Sequence, residues 1–503
     1  METKIDTEIL PSEYYSSIES DRSQYEDRAK LIADLTLPYV IRDDTDSGTT
    51  KMKDSTSQSY GGRLVNTLKA KMGMALLPPS TSSFKYVPKP EELAALTEGN
   101  KNNKAKIYQL LSSNIATVNA EIELQQIRTS LFDIIMQLLI VGSTIVEKKP
   151  KKGVSIHPLQ SFVVTLDEQG MPVKMCFVEN LKRLPEGIEV AEVQDEYKLY
   201  TMATLSEEDE SWIVKQEIEQ ELVGEEQTYK NYDALPYRYL GWTWMVGDSF
   251  HRPYAEDYYQ DLDQLDKLAR LLTDGAIVSA KMLLFVNERG GRTRKDDVAE
   301  SNNGDVIDGV ADDVTALQIQ KNFDFQVPME REANLKKELS AAFLMNESAT
   351  RDAERVTASE IRFMAQELET SSLSGIYSKL SLLWSKWIVE QVMIELGIKF
   401  EAIEVEILTG LDALGRNQES QNLDSLVQRA MQLEMKHWLH EDELLNRYAS
   451  YDNVNTVGLL KTPDEVEKEI QKMKAQQAAQ MADENMAGQA GTNAGNQMVP
   501  PQQ

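Results

Sequence analysis

The hydrophobic period of this chain changes twice along its length, and that limits its architecture more than any single motif does. From Ile9 to about Pro150 apolar residues recur at helical spacing, between about Gly153 and Met245 they alternate, and after GDSFHRP the helical spacing returns. The pattern calls for an α+β protein, mainly helical, with a β-rich insertion among its helices. In DRSQYEDRAKLIADLTLPYV the residues Tyr25, Ala29, Ile32 and Ala33 share a face and Pro38 ends the run. SYGGRLVNTLKAKMGMALLPPS aligns Leu64, Leu68 and Met72 ahead of Pro78-Pro79, with Gly61-Gly62 at a turn or helix boundary. The longest apolar run, LFDIIMQLLIVGSTIV from Leu131, contains Asp133, Gln137 and Gly142 and is too short to span a bilayer, so it reads as a buried helix. Within the insertion, FVVTLDEQGMPVKMCFVEN reads as a hairpin turning at Gln169-Gly170, and EYKLYTMATL pairs with SWIVKQEIEQELV around SEEDE.

The second half carries two amphipathic helices around a small module. YAEDYYQDLDQLDKLARLLTDGAIVSA sets Tyr258, Leu262, Leu265, Leu268, Ala269 and Leu272 on one stripe and acids on the other face; MEREANLKKELSAAFLM follows Pro328. Between them, short β-like runs are broken by Gly290-Gly291, Asn302-Asn303-Gly304 and Asp308-Gly309. The stretch ATRDAERVTASEIR comes next. Thr357 and Glu360 have capping-box spacing, with Val356 and Ile361 as the hydrophobic staple, so a helix starts at Ala358. Its stripe runs through Ile361, Met364, Ala365 and Leu368, loosens at SSLSG, resumes through Ile376, Leu380, Leu383 and Trp387, and stops at Gly397. Further helices are expected from Gln418 to Tyr448 and after Thr462, where Thr462-Pro463-Asp464-Glu465 is another capping box. Residues 482–503 have too little apolar surface to offset the entropy of ordering and are expected to be disordered.

Charge and motif content argue against an enzyme. Lys and Arg number 53 against 82 acids, a net charge of −29, which opposes a broad basic grip on nucleic acid but permits DNA to slide past without sticking. One cysteine, Cys176, precludes an internal disulfide and fits a small core residue in a reducing compartment. The acidic start METKIDTE does not resemble an export signal. No GxxxxGK[ST] phosphate loop occurs. His437 and His440 lie three apart on an expected helix with Glu434 and Glu441 nearby, but no second His pair or Cys completes a metal site, and His157 and His251 stand alone. Neither a catalytic residue, a cofactor nor a metal is assigned.

Several segments, in this order, resemble one family: DRSQYEDRA, SYGGRLVNTLKAKMGMALLPP, LLIVGSTIV, GDSFHRPYAEDYYQDLDQLDKL, ERVTASEIRFMAQELE and TGLDALGRNQ. The family is the head-to-tail connector, or portal protein, of short-tailed, podovirus-type bacteriophages. The resemblance implies a ring of about twelve subunits around an axial channel at one capsid vertex, through which double-stranded DNA is packaged and ejected. It implies a wing at 1–253, stem helices at 254–281 and 323–345, a clip at 282–322, a tunnel loop at 346–357, a long helix and return strand of the wing at 358–414, and a helical crown at 415–481. Implied partners are other copies of the chain, double-stranded DNA without sequence preference, the major capsid protein, scaffolding protein, the terminase large subunit, and tail adaptor and internal core proteins, with no membrane span. The subunit would nucleate head assembly in the host cytoplasm and remain in the virion.

On that resemblance ATRDAERVTASEIR faces moving DNA. Its three arginines (Arg351, Arg355, Arg362) are set against three acids (Asp352, Glu354, Glu360), so it can meet phosphates without holding them. Thr357 and Glu360 set where the loop ends. Arg289, Arg292, Arg294 and Lys295 are the basic cluster of the clip and its candidate docking surface. Two other readings stand beside this one: a metal-dependent nuclease with an unrecognised carboxylate site, and a helical adaptor without a channel.

Overall fold

The computed structural model describes residues 9–41, 56–79, 82–88, 101–184, 196–206, 209–280, 283–287, 293–302, 305–306, 308, 310–317, 326–345, 358–398, 403–408, 422–433 and short runs between 435 and 477. The chain divides into two compact units, Met1–Gly73 with Arg128–Thr357, and Met74–Ile127 with Ala358–Gln503.

The first unit is built on two antiparallel sheets. Strands β2 (Ser143–Lys149), β3 (Gly153–His157) and β10 (Tyr237–Gly241) pair in the order β10-β2-β3. The larger sheet runs β4 (Phe162–Leu166), β5 (Pro172–Leu181), β6 (Tyr197–Leu205), β7 (Trp212–Ile218) and β8 (Glu221–Leu222), with β9 (Gln227–Tyr229) also on β7. Both expected hairpins are present. In the first, the Asp167 carboxylate accepts from Gln169 N and Met171 N, both at 2.8 Å. In the second, Leu205 pairs with Trp212.

Helix α1 (Pro11–Leu35) packs on the larger sheet, where Tyr14, Tyr15, Val163, Cys176 and Met202 form one buried cluster. Leu10 precedes the helix and supplies no side-chain cap, so its first turn is satisfied from far away. The fully buried Glu217 carboxylate of β7 accepts from Ser12 N at 2.8 Å and from Ser12 Oγ at 2.5 Å. A carboxylate there faces the positive end of the helix dipole, which helps offset its burial. Cys176 is free and buried, the core residue its isolation suggests. Helix α2 (Tyr60–Leu76) buries Leu64, Leu68 and Met72 completely, and the glycine pair lies in its first turn.

Two expectations fail where α4 (Ile127–Ile140) ends. LFDIIMQLLIVGSTIV is not one buried helix: it stops at Ile140, and Ser143 opens β2, so the strand block starts at Ser143 rather than about Gly153. Ser143, Thr144, Ile145 and Val146 are all buried, so the strand shows no alternation that would set it apart from helix.

A short 3₁₀ turn, Tyr254–Tyr258, leads into α5 (Tyr259–Ala280), which pairs with α7 (Gln326–Ala342). Tyr254, Tyr258 and Phe343 meet edge to face at 5.1–5.4 Å between ring centroids, and Tyr254 Oη donates to Ala342 O at 2.8 Å. Arg331 lies opposite Gln264, so the two helices run antiparallel. Between them lie β11 (Leu283–Val286), the short α6 (Lys295–Glu300) and β12 (Val314–Leu317), with β11 and β12 antiparallel.

In the second unit β1 (Phe84–Pro88) pairs antiparallel with β13 (Ile403–Ile407). Helix α3 (Lys101–Leu124) buries Leu111, Val118 and Ile122. Helix α8 spans Ala358–Thr370, and Thr357, the expected cap, lies outside the described residues. The stripe breaks at Ser371–Leu373, resumes in α9 (Ser374–Leu380), passes through a π turn at Ser381–Lys386, and finishes in α10 (Trp387–Glu395) before Gly397. Trp384 and Trp387 are fully buried on this run. Within the span Gln418–Tyr448, residues 422–432 are helical, a turn follows at Leu433, and Leu444, Leu445 and Tyr448 are helical again; the rest of the span, Met435 and Leu439 apart, lies outside the described residues. Among the described residues no helix is long and apolar enough to cross a membrane.

Candidate functional site

The paired helices α5 and α7 bury only part of their apolar stripes. Leu262 and Leu265 of α5 and Leu335 and Leu339 of α7 are buried, while Leu268, Ala269 and Leu272 are half-buried. Leu271 and Ile277 on α5, and Val327 and Met329 on α7, are more than half exposed. Helix α5 carries four acids (Asp261, Asp263, Asp266, Asp274) against Lys267 and Arg270, a net of 2 − 4 = −2. Both cations are engaged within the helix: Lys267 Nζ is 2.6 Å from Asp263 Oδ2, and Arg270 Nη2 is 3.4 Å from Asp266 Oδ2. Asp263 raises the Lys267 ammonium above its ordinary value. On α7, Lys336 Nζ meets Glu332 Oε1 at 2.7 Å. Exposed pairs of this kind add little stability. Their consequence here is that these cations already face carboxylates, leaving little tight attraction for a polyanion.

In the β11–β12 module, Thr293 is buried and ties its segment to the far strand. Its hydroxyl accepts from Val310 N at 2.9 Å and donates to Asp313 Oδ2 at 3.2 Å, while Asn287 N donates to Asp313 O at 2.9 Å. This anchor holds Arg294 and Lys295, both exposed, at the start of α6, where Asp296 and Asp297 follow them. Arg289 and Arg292 lie outside the described residues, as do Arg351, Arg355 and Thr357. Glu360 and Arg362 fall in the first turns of α8. His437 and His440 also lie outside the described residues.

One constellation escaped the sequence reading. Glu147 of β2, His157 at the end of β3 and Glu179 of β5 bring an imidazole nitrogen and two carboxylate oxygens within 4.8 Å of one another. His157 Nε2 is 3.5 Å from Glu147 Oε2, and Lys149 Nζ bridges the two carboxylates at 3.2 Å and 2.8 Å. Burial pushes the Glu147 carboxyl up, but His157 and Lys149 outweigh it and hold it below the usual carboxylate range. Burial pulls the Lys149 ammonium down, but Glu179 and Glu147 outweigh it and leave it above its ordinary value. His251, by contrast, is a core histidine, its Nδ1 2.9 Å from Tyr239 Oη.

Comparison with known proteins identifies the family. The chain is 29% identical over 96% of its length to the portal protein of Enterobacteria phage T3, 93% of which is covered. It is 29% identical over 94% of its length to the portal protein of Escherichia phage T7, 91% of which is covered. A chain in the neck of an empty gene transfer agent particle aligns at 12% identity over 73% of this chain and 86% of that one, with a TM-score of 0.38, so the assignment rests on sequence. The pattern of the bacteriophage head to tail connecting protein family matches residues 11–397, from the first residue of α1 to the glycine that stops α10, and the chain belongs to that family.

Proposed function

We propose that the chain is the subunit of a portal ring of about twelve copies, placed at one capsid vertex, through which double-stranded DNA enters and leaves the head. The observation that carries this reading is the family match running unbroken through both paired helices and the module between them. The family is structural, and it favours neither the nuclease nor the channel-less adaptor. Residues 1–253 serve as the wing, α5 and α7 as the stem, 282–322 as the clip, 346–357 as the tunnel loop, 358–414 as the long helix and return strand of the wing, and 415–481 as the crown.

Half-covered stripes on α5 and α7 support a ring, because a neighbouring copy related by rotation would cover Leu271, Ile277, Val327 and Met329. A dozen copies would carry roughly −350, a field that repels DNA from the wall wherever arginines do not interrupt it. The partners that follow are the major capsid and scaffolding proteins, the terminase large subunit that supplies ATP hydrolysis, and tail adaptor and core proteins. The purified chain should sediment and scatter as a closed ring with a central hole in negative-stain images. A 57 kDa species alone at every concentration would remove the proposal, that being the mass of a single chain.

Arg289, Arg292, Arg294 and Lys295 are the docking surface for terminase and then for the tail adaptor. Changing all four to alanine should leave rings intact while terminase pull-down and tail attachment fail. Rings that still bind both partners would relieve the cluster of that role.

A further inference from the structure

We propose that Glu147, His157 and Glu179 form a binding site for a divalent transition-metal ion of zinc's class, which would staple the three-stranded sheet to the six-stranded one. Glu147 and His157 come from neighbouring strands of the small sheet, and Glu179 comes from β5 of the large one. The donor set of one imidazole and two carboxylates, with a water completing the shell, suits zinc. The 3.5 Å between His157 Nε2 and Glu147 Oε2 is close to the edge of a tetrahedron of ligands about 2.1 Å from the metal.

Two further observations point to a ligand rather than to a finished ion pair. His157 is only 4% exposed, and its Nε2, 3.5 Å from Glu147 Oε2, is buried without a hydrogen-bond partner. A buried polar atom left in that state is costly, and a metal between it and Glu147 would satisfy it. The His157 ring is already fixed, stacked 4.0 Å from Phe177. No ring rotation is then needed for ligation.

Lys149 defines how the site would load. Its ammonium stands between the two carboxylates, where a cation belongs, and keeps them together. The side chain is 31% exposed, so its head can swing into water on its flexible stem while the three donors stay in place. Metal and Lys149 therefore compete for one position.

This competition gives the test its sign. The full-length chain, stripped with a chelator, is titrated with zinc chloride by calorimetry, with magnesium chloride as the control. One zinc per chain is expected, and no magnesium, which demands a near-octahedral set of oxygens. Lys149→Met should tighten zinc binding by about fivefold, the worth of a partly exposed charge contact. His157→Ala and Glu179→Gln should each weaken it by at least about tenfold. If His157→Ala does not fold, Glu179→Gln decides, since Glu179 lies nearer the surface. No zinc uptake by Lys149→Met, or equal uptake by the wild type and Glu179→Gln, would overturn the proposal.

Discussion

Gly142→Ala should destabilise the chain by about 2–5 kcal/mol, the cost of a left-handed backbone at a residue with a Cβ added to that of an overpacked core. Gly142 stands between α4 and β2 with φ at +95°. Its amide donates to Gln137 O at 3.1 Å, closing the helix, while its carbonyl accepts from Trp242 N at 2.8 Å. A Cβ there would lie 2.5 Å from His251 O and 2.6 Å from Pro253 N. Both are backbone atoms, so no side chain can move aside. Gly247 is the matched control: its φ is +92° and nothing lies within 4 Å of its Cβ position. Gly247→Ala should therefore cost only the conformational share, about 1–2 kcal/mol. Denaturant midpoints of the two variants separate the contributions, and equal losses would mean that the packing around Gly142 yields.

The same glycine shows what could and could not be read in advance. LLIVGSTIV is apolar apart from Gly142-Ser143-Thr144 because its residues are buried whether helical or extended, and periodicity cannot separate the two states. Gly142 was the available signal for the switch. Helices α5 and α7 were legible because each has one wet face. The Glu217 carboxylate that satisfies the first turn of α1 lies 205 residues from Ser12, and nothing near either residue announces the pairing. The Glu147, His157 and Glu179 constellation depends on strand register across two sheets. In a chain with 82 acids, two carboxylates near a histidine carry no signal until that register is known.

Replacing both Arg351 and Arg355 with alanine should sharply reduce DNA packaging and genome retention, whereas Thr357→Ala should do so by a different route. The arginines are candidate phosphate contacts in a stretch whose three bases and three acids cancel, so their loss leaves that stretch net acidic in an already acidic ring. DNA sliding past would then meet repulsion where the wild type offers brief attraction, and the loss should ease as salt rises, because screening weakens the repulsion. Thr357 precedes Ala358, the first residue of α8, at the cap position of the box that ends in Glu360. If it caps the helix as proposed, its hydroxyl would contribute on the order of 1 kcal/mol to the helix start. Removing it should fray the first turn and change how far the proposed tunnel loop reaches into the proposed channel, an effect that salt does not correct. Assembly should survive in both variants, because the apolar stripes proposed as ring contacts lie on α5 and α7. Genome retention in assembled particles, compared at low and high salt, distinguishes the two routes. Wild-type packaging in both variants would reduce ATRDAERVTASEIR to a connector between helices and leave the tunnel to other residues.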